Sequence, residues 1–177
     1  MNSNFKVTIL CLDDNLEATA IRSALESFGI TVYCHFIGNV GGYIKLINNQ
    51  DSEAIIIICA HGEKQGTILA ELDFAIEATM PYKRVITLEN YQEFLQLNNQ
   101  IIINTSCLGG DLAPAFLQSG AKAYIGADGY VDGSASTYFV ISLLYNLFHL
   151  KLKLKAAYDK AVMHNQDTQM FRFFNFE

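Results

Sequence analysis

Runs of apolar residues alternate with amphipathic stretches along this chain. Four of these runs, residues 5–12, 30–37, 54–62 and 101–104, are rich in isoleucine and valine and predict strands buried on both faces. Residues 121–127 predict a fifth strand, and the alternating aromatic pattern of the last ten residues predicts a sixth. The chain should therefore contain a sheet of about six strands.

Helical patterns occupy the segments between these strands. Asp14, with Glu17 three residues later, predicts a capped helix start, and Gly29 predicts the end of that helix. Further amphipathic or apolar patterns predict helices over "GGYIKLIN", "NYQEFLQL", "DLAPAFLQSG", "SASTYFVISLLYNLFHL" and "KLKAAYDKAVMHN". The rest of residues 63–100 is polar and mixed, with turns expected at Gly66 and Pro81.

Strands that alternate with helices predict right-handed crossovers and a mostly parallel sheet covered by helices on both faces. In open sheets of this kind, ligands bind beyond the carboxyl ends of the strands. The functional residues are therefore expected in the loops that leave the strands, which are "LDDN", "AHGE", "NTSCLGG" and "GADGYVDG".

Length and composition indicate one soluble domain over residues 1–177. Hydrophobic residues make up 51% of the chain, yet no stretch approaches the roughly 20 apolar residues that cross a bilayer. The amino-terminal segment does not resemble a secretory signal, so a cytoplasmic location and no membrane partner are expected. The net charge of −6 disfavours nucleic acid as a partner.

The four cysteines, Cys11, Cys34, Cys59 and Cys107, show no CxxC pair and no metal-ligand spacing with the histidines. Free thiols are therefore expected, with no metal and no cofactor. Three of them lie within apolar strand-like runs, where a cysteine is usually a small core residue. Cys107 differs because it follows a strand and is itself followed by Gly109 and Gly110.

His61 and Gly62 end the third predicted strand, and Cys107 follows the fourth, 107 − 61 = 46 residues later. If the two strands are neighbours, about 4.8 Å apart, both side chains emerge at one edge of the sheet. An imidazole and the start of a helix near Asp111 could then activate the thiol as a nucleophile. The Gly62 and Cys107 amides could form an oxyanion hole, and the nearby glycines could let backbone approach a substrate.

These motifs resemble the caspase-like (clan CD) cysteine peptidases, which share an apolar run, His-Gly, a spacer, a second apolar run and a Cys. The bacterial CHAT-domain branch looks nearest, matched by "CLGGDLAPAFLQSGAKAYIGADGYVDG" and the long apolar helix that follows. The resemblance covers residues 54–160 well and the first 50 residues in architecture only. Position 109 is glycine where the CHAT pattern usually has serine.

The resemblance implies a three-layer α/β/α caspase-like sandwich with strand order 2-1-3-4-5-6 and the last strand antiparallel. It implies a cysteine endopeptidase, in which His61 is the base, Cys107 the nucleophile, and the Gly62 and Cys107 amides the oxyanion hole. The substrate would be a peptide or protein, with room for a regulatory protein partner. Substrate-binding candidates are Thr105, Asp128 and Asp132.

Two points about specificity stay open at this stage. The uncharged Thr105 gives no support for a preference for aspartate at P1, the substrate residue before the cleaved bond. Asp128 and Asp132 would suit a basic P1 residue, but both also fit ordinary turns beside Gly129 and Gly133.

Two alternative functions also remain. One is a catalytically silent caspase-like interaction domain. The other is a receiver-like signalling module, because the opening residues resemble response regulators whose acidic pair, here Asp13 and Asp14, binds magnesium. Against the receiver, the third strand ends in Cys59-Ala60-His61 instead of a phosphoacceptor aspartate. The acid pair is more simply explained as the cap of the first helix.

Overall fold

Nine strands are present in the computed structural model, which describes residues 6–175. They are β1 (Val7–Cys11), β2 (Val32–Phe36), β3 (Ile55–Cys59), β4 (Gly62–Glu63), β5 (Gly66–Ile68), β6 (Val85–Ile86), β7 (Ile101–Asn104), β8 (Ala123–Ala127) and β9 (Phe171–Asn175). The predicted first strand begins at Phe5 and the predicted last strand ends at Glu177, and these two ends lie outside the described residues.

The main sheet has six strands in the order β2-β1-β3-β7-β8-β9. All neighbouring pairs are parallel except β8 and β9, which are antiparallel. Counted along the main sheet alone, this is the predicted order 2-1-3-4-5-6. The predicted fold class, a three-layer α/β/α sandwich with an antiparallel last strand, is confirmed.

Seven α-helices occur within the described residues. They are α1 (Asn15–Ser27), α2 (Val40–Asn48), α3 (Phe74–Glu77), α4 (Leu88–Phe94), α5 (Ala113–Gln118), α6 (Gly133–Phe148) and α7 (Leu154–Ala161). Asp14 caps α1 by accepting from the Glu17 amide, as the sequence predicts, and Pro114 lies in the first turn of α5. No helix of residues 6–175 is long and apolar enough to cross a membrane.

The continuous apolar character of β3 reflects two separate cores. Ile55 and Ile57 pack with α1, α6 and α7 on one face of the sheet, whereas Ile56 and Ile58 pack with α2, α4 and α5 on the other. Side chains alternate across a strand, so a strand covered on both faces needs apolar residues at every position. Full burial of each such side chain contributes about 1.5–3 kcal/mol.

A second, small antiparallel sheet formed by β4, β5 and β6 was not predicted. It lies in the segment that the sequence indicated only as polar with turns, and it begins directly after His61. Its strands have two or three residues each, which is too short for an alternating pattern to be recognised. The short helix α3 escaped prediction for the same reason.

The stacking of Phe139 on Phe171 joins α6 to β9, with ring centroids 4.0 Å apart and both side chains fully buried. We expect Phe139→Ala to lower the free energy of unfolding by about 3–5 kcal/mol, because it removes this contact and leaves a cavity. Phe74→Ala is the matched control, since Phe74 is 84% exposed, and it should change stability by less than about 0.5 kcal/mol. Urea unfolding would show this; equal effects of the two changes would contradict the packing described.

Candidate active site

The pairing of β3 with β7 places His61 and Cys107 at equivalent positions. Ile58 pairs with Asn104 in the parallel ladder. His61 is three residues beyond Ile58, and Cys107 is three residues beyond Asn104. The two candidate residues therefore leave neighbouring strands at the same edge of the sheet, as the sequence analysis expected of adjacent strands.

The two strand ends are in direct backbone contact. A Cβ built on Gly62 would lie 2.2 Å from the Cys107 carbonyl oxygen and 2.9 Å from the Ser106 Cβ. No side chain fits in that space, so Gly62 is required for the Cys107 turn to pack against the end of β3. This gives the glycine after His61 a structural reason in addition to its predicted role in an oxyanion hole.

The residues on both sides of Cys107 are held at an energetic cost. Leu108 adopts a left-handed conformation with φ of 55°, which costs a non-glycine residue roughly 1–2 kcal/mol. The Ser106 hydroxyl is buried, and no partner for it is found among residues 6–175. Such costs concentrate at functional positions, where the surrounding structure maintains them.

Tyr124 on β8 forms hydrogen bonds with the Cys107 turn. Its hydroxyl donates to the Gly109 carbonyl at 2.6 Å and accepts from Asn104 Nδ2 at 2.9 Å. Asn104 Oδ1 in turn accepts from the Ser106 amide at 3.0 Å. Burial raises the pKa of Tyr124 well above its ordinary value, so the hydroxyl stays a donor. The turn is therefore fixed to the centre of the sheet by a buried hydrogen-bond network.

Gly109 and Gly110 are buried, which differs from the predicted role of the glycines in approaching a substrate. A Cβ on Gly109 would lie 2.9 Å from Ser106 Oγ, and a Cβ on Gly110 would lie 2.7 Å from Asp128 Oδ1. The absence of their side chains instead leaves room for Ser106 and Asp128 to pack against the turn. The helix expected near Asp111 begins as a short 3-10 turn over Gly109–Leu112 before α5.

The thiol and the imidazole each contact a neighbouring loop. Cys107 is half-buried, and its Sγ lies 3.8 Å from the Val131 carbonyl oxygen in the loop between β8 and α6. His61 Nε2 lies 4.0 Å from Asp13 Oδ2, and the His61 side chain is 61% exposed. Asp14 caps α1, so the two members of the acidic pair have different positions: Asp14 belongs to the helix and Asp13 faces the imidazole.

Thr105 is buried, and its side chain points towards α1. Its hydroxyl donates to Glu17 Oε2 at 2.5 Å, while Ser136 of α6 donates to Glu17 Oε1 at 2.7 Å. Burial raises the pKa of Glu17 to about 7, opposed by hydrogen bonds from these two hydroxyls and from Cys59. The sequence suggests only a capping role for Glu17, and nothing in it signals a contact with Thr105, 88 residues away.

The two aspartates predicted to bind substrate lie in the loop after β8 and have partners within the protein. Asp128 accepts from Arg172 at 2.6 Å on the surface. Asp132 caps α6, and hydrogen bonds from the Ser134 hydroxyl and amide lower the pKa of its carboxyl. Asp128 Oδ1 lies close to Gly110 in the Cys107 turn, and contact of Thr105, Asp128 or Asp132 with a substrate stays a prediction.

A cleft of about 400 Å³ adjoins the turn on the side of the small sheet. It is bounded by Leu108, which follows Cys107, and by Glu63, which follows Gly62. Its charged lining consists of Glu63, Glu89, Asp111 and Lys64. Three carboxylates and one ammonium group make this cleft acidic overall.

The six-stranded sheet, its order and its antiparallel last strand define a caspase-like fold. Solved protein structures have the same fold. The chain is similar to separase of Saccharomyces cerevisiae in its complex with securin, with a TM-score of 0.62, 9% identity and coverage of 98% of this chain. It is also similar to the Arg-specific cysteine proteinase gingipain R, with a TM-score of 0.62, 12% identity and coverage of 97%.

The chain spans less than half of each of these two solved proteins. The similar region is 12% of the separase chain and 46% of the gingipain chain, so this chain corresponds to a minor part of each. Identities this low show a common fold. No protein-family model matches the sequence, and no curated protein matches it either.

The Tyr124 hydroxyl provides a first test of the turn. We expect Tyr124→Phe to lower the free energy of unfolding by about 1–3 kcal/mol, because it removes the buried hydroxyl that joins the Gly109 carbonyl oxygen to Asn104 Nδ2. Tyr33→Phe, at a ring that is 48% exposed, should change it by less than about 0.5 kcal/mol. Chemical denaturation of both variants is the measurement, and a neutral Tyr124→Phe would show that the network does not stabilise the turn.

Glu17 provides a second test, through the pH dependence of stability. Its pKa is about 7 in the fold against 4.5 for an ordinary glutamate, so the unfolded chain loses this proton first as the pH rises. The stability of the wild type should therefore fall between pH 4.5 and 7, by up to about 3 kcal/mol from this residue, and then level off.

Glu17→Gln removes that contribution. Unfolding free energies at pH 5 and pH 8 should show the variant gaining stability relative to the wild type at the higher pH. Equal pH dependence in the two proteins would mean that Glu17 titrates normally.

Proposed function

We propose that this protein is a cysteine endopeptidase in which His61 and Cys107 form the catalytic dyad. The observation that carries the proposal is the contact between the end of β3 and the Cys107 turn, with both residues at the same offset from the paired residues Ile58 and Asn104. The buried Ser106 hydroxyl, which has no partner among residues 6–175, and the left-handed backbone of Leu108 support it, because these residues flank the proposed nucleophile.

The reaction would begin with transfer of the Cys107 proton to His61. The thiolate then attacks the carbonyl carbon of the peptide bond, and the Gly62 and Cys107 amides donate to the oxygen that becomes negative. Collapse of this intermediate breaks the C–N bond, while His61 gives its proton to the leaving amine. A water molecule, deprotonated by His61, hydrolyses the thioester and releases the carboxylate product.

The imidazole must turn towards the thiol for this reaction, and its exposure makes that a rotation of one side chain at the surface. Asp13 Oδ2 lies 4.0 Å from His61 Nε2, a position from which Asp13 can orient the imidazole. In this proposal Asp13 assists the dyad, and no third residue takes part in proton transfer.

The proposed substrate is a peptide or protein whose residues lie across the turn and into the acidic cleft beside Leu108. The carboxylates of that cleft, together with Asp128 and Asp132, favour basic side chains in the substrate. Thr105 is uncharged, so it provides no positive charge that would favour an acidic P1 residue. Within the caspase-like class, we place the chain nearest the CHAT branch because of its "CLGG" and "GADGYVDG" segments. Separase was crystallised with the protein securin, which supports a protein regulator as a further proposed partner.

Cleavage of a fluorogenic peptide library varied at P1 tests this function. We expect Cys107→Ala and His61→Ala to lower kcat/KM by at least about 10²-fold, since each removes a group that transfers a proton or forms the covalent intermediate. Basic residues should be preferred at P1.

Cys34→Ala is the matched control, because this half-buried thiol lies on the edge strand β2. It should leave cleavage unchanged, and thermal melts should show that all three variants fold. Cleavage retained in both dyad variants would exclude this mechanism. Absence of any cleavage by the wild type would favour the silent interaction domain.

A further inference from the structure

One buried acidic residue connects the two segments that contact Cys107. Glu17 is 7% exposed, and each of its carboxylate oxygens accepts a hydroxyl proton from a different element. Thr105 is two residues before Cys107 in the turn that carries the thiol. Ser136 is five residues after Val131, whose carbonyl oxygen contacts the thiol from the other side.

The Thr105 hydroxyl has two acceptors but only one proton. Glu17 Oε2 lies at 2.5 Å from its oxygen and the Ile58 carbonyl oxygen at 3.1 Å. When Glu17 is ionised, it accepts from both Thr105 and Ser136 through charge-assisted hydrogen bonds. When Glu17 is protonated on Oε2, it donates to Thr105, whose proton then turns to Ile58. The Ser136 bond to Oε1 persists in both arrangements.

The surroundings of Glu17 allow it to change protonation near neutral pH. Burial raises the pKa of its carboxyl to about 7, and the nearby Asp14 at the start of α1 acts in the same direction. The groups that face it from the other elements are uncharged: Thr105 after β7, Ser136 on α6 and the Cys59 thiol on β3, whose pKa burial raises well above its ordinary value.

We propose that Glu17 is a positioning residue for the peptidase site. Its carboxylate accepts from Thr105 and thereby holds the Cys107 turn in the reactive arrangement. When Glu17 is protonated, the Thr105 hydroxyl donates to the Ile58 carbonyl oxygen instead. This inference rests on the proposed function, since it assigns a control on the same nucleophile. Glu17 does not contact the substrate or the thiol. It acts through Thr105, while Ser136 holds the other carboxylate oxygen in both protonation states.

Glu17→Gln is a close mimic of the protonated form. The glutamine amide can donate to Thr105, which then donates to Ile58, while its carbonyl oxygen still accepts from Ser136. The variant should therefore stay in the less reactive arrangement at every pH. Because it also removes a buried charge, it should be at least as stable as the wild type at pH 8, which separates a positioning effect from damage to the fold.

The test measures the alkylation rate of Cys107 by iodoacetamide from pH 5.5 to 8.5, followed by mass spectrometry of the peptide that contains Cys107. The ratio of the wild-type rate to the Glu17→Gln rate cancels the ionisation of the thiol itself. We expect this ratio to rise from one at low pH to about fivefold at pH 8.5, with a midpoint near pH 7.

Three further variants complete the test. Glu26→Gln, an exposed change on the same helix, should give a ratio of one throughout. In the Thr105→Val background, adding Glu17→Gln should no longer change the alkylation rate in a pH-dependent way, whereas in the Thr105→Ser background, which keeps the hydroxyl, it should. A wild-type to Glu17→Gln ratio that stays flat with pH would overturn the proposal. Loss of the pH-dependent ratio in the Thr105→Ser background as well would also overturn it.

Failure of this inference is distinguishable from failure of the proposed function. Alkylation reports on Cys107 whether or not the protein cleaves peptides. A pH-dependent ratio without peptide cleavage would support Glu17 as a positioning residue and reject the peptidase. Peptide cleavage with a flat ratio would reject the role of Glu17 and retain the peptidase.

Discussion

Parallel pairing of β3 with β7 positions the two segments that carry His61 and Cys107. The ladder that matches Ile58 with Asn104 fixes the distance between the two segments that follow, and the absence of a side chain at Gly62 lets them touch. Because β3 is apolar on both faces and buried in two cores, a shift of register would expose isoleucines or bury loops. The juxtaposition of His61 and Cys107 is therefore a consequence of core packing.

The turn after β7 shows how a stable sheet can hold an unfavourable local structure. Leu108 is left-handed, the Ser106 hydroxyl has no partner among residues 6–175, and the buried Glu17 carboxyl contacts Thr105, two residues before Cys107. Tyr124 and Asn104 offset part of this cost through hydrogen bonds to the turn. The hydrophobic burial of the sheet offsets the remaining cost.

The caspase-like architecture is common to this chain and to peptidases that share only about a tenth of its residues. The positions of the strand ends in such a sheet are therefore kept although the strand sequences differ. The features particular to this chain lie in the loops: the acidic cleft beside Leu108, Asp13 opposite the imidazole, and Glu17 beneath Thr105. Function in such a fold is decided by these groups, because a fold by itself hosts many activities.

Local sequence patterns predict the six main strands, their alternation with helices, the cap of α1 at Asp14 and the edge of the sheet where His61 and Cys107 lie. These features depend on local periodicity and on packing rules that every buried parallel sheet obeys. The strand order came from resemblance to a known family.

Long-range packing brings Glu17 to Thr105 and Ser136, and it places Asp13 rather than Asp14 opposite His61. It also buries Gly109 and Gly110 inside the turn and forms the small sheet of β4, β5 and β6. Contacts such as that of Glu17 with Thr105 join residues 88 positions apart. Their partners are set by how whole elements pack, and a side chain's sequence neighbours carry no information about that.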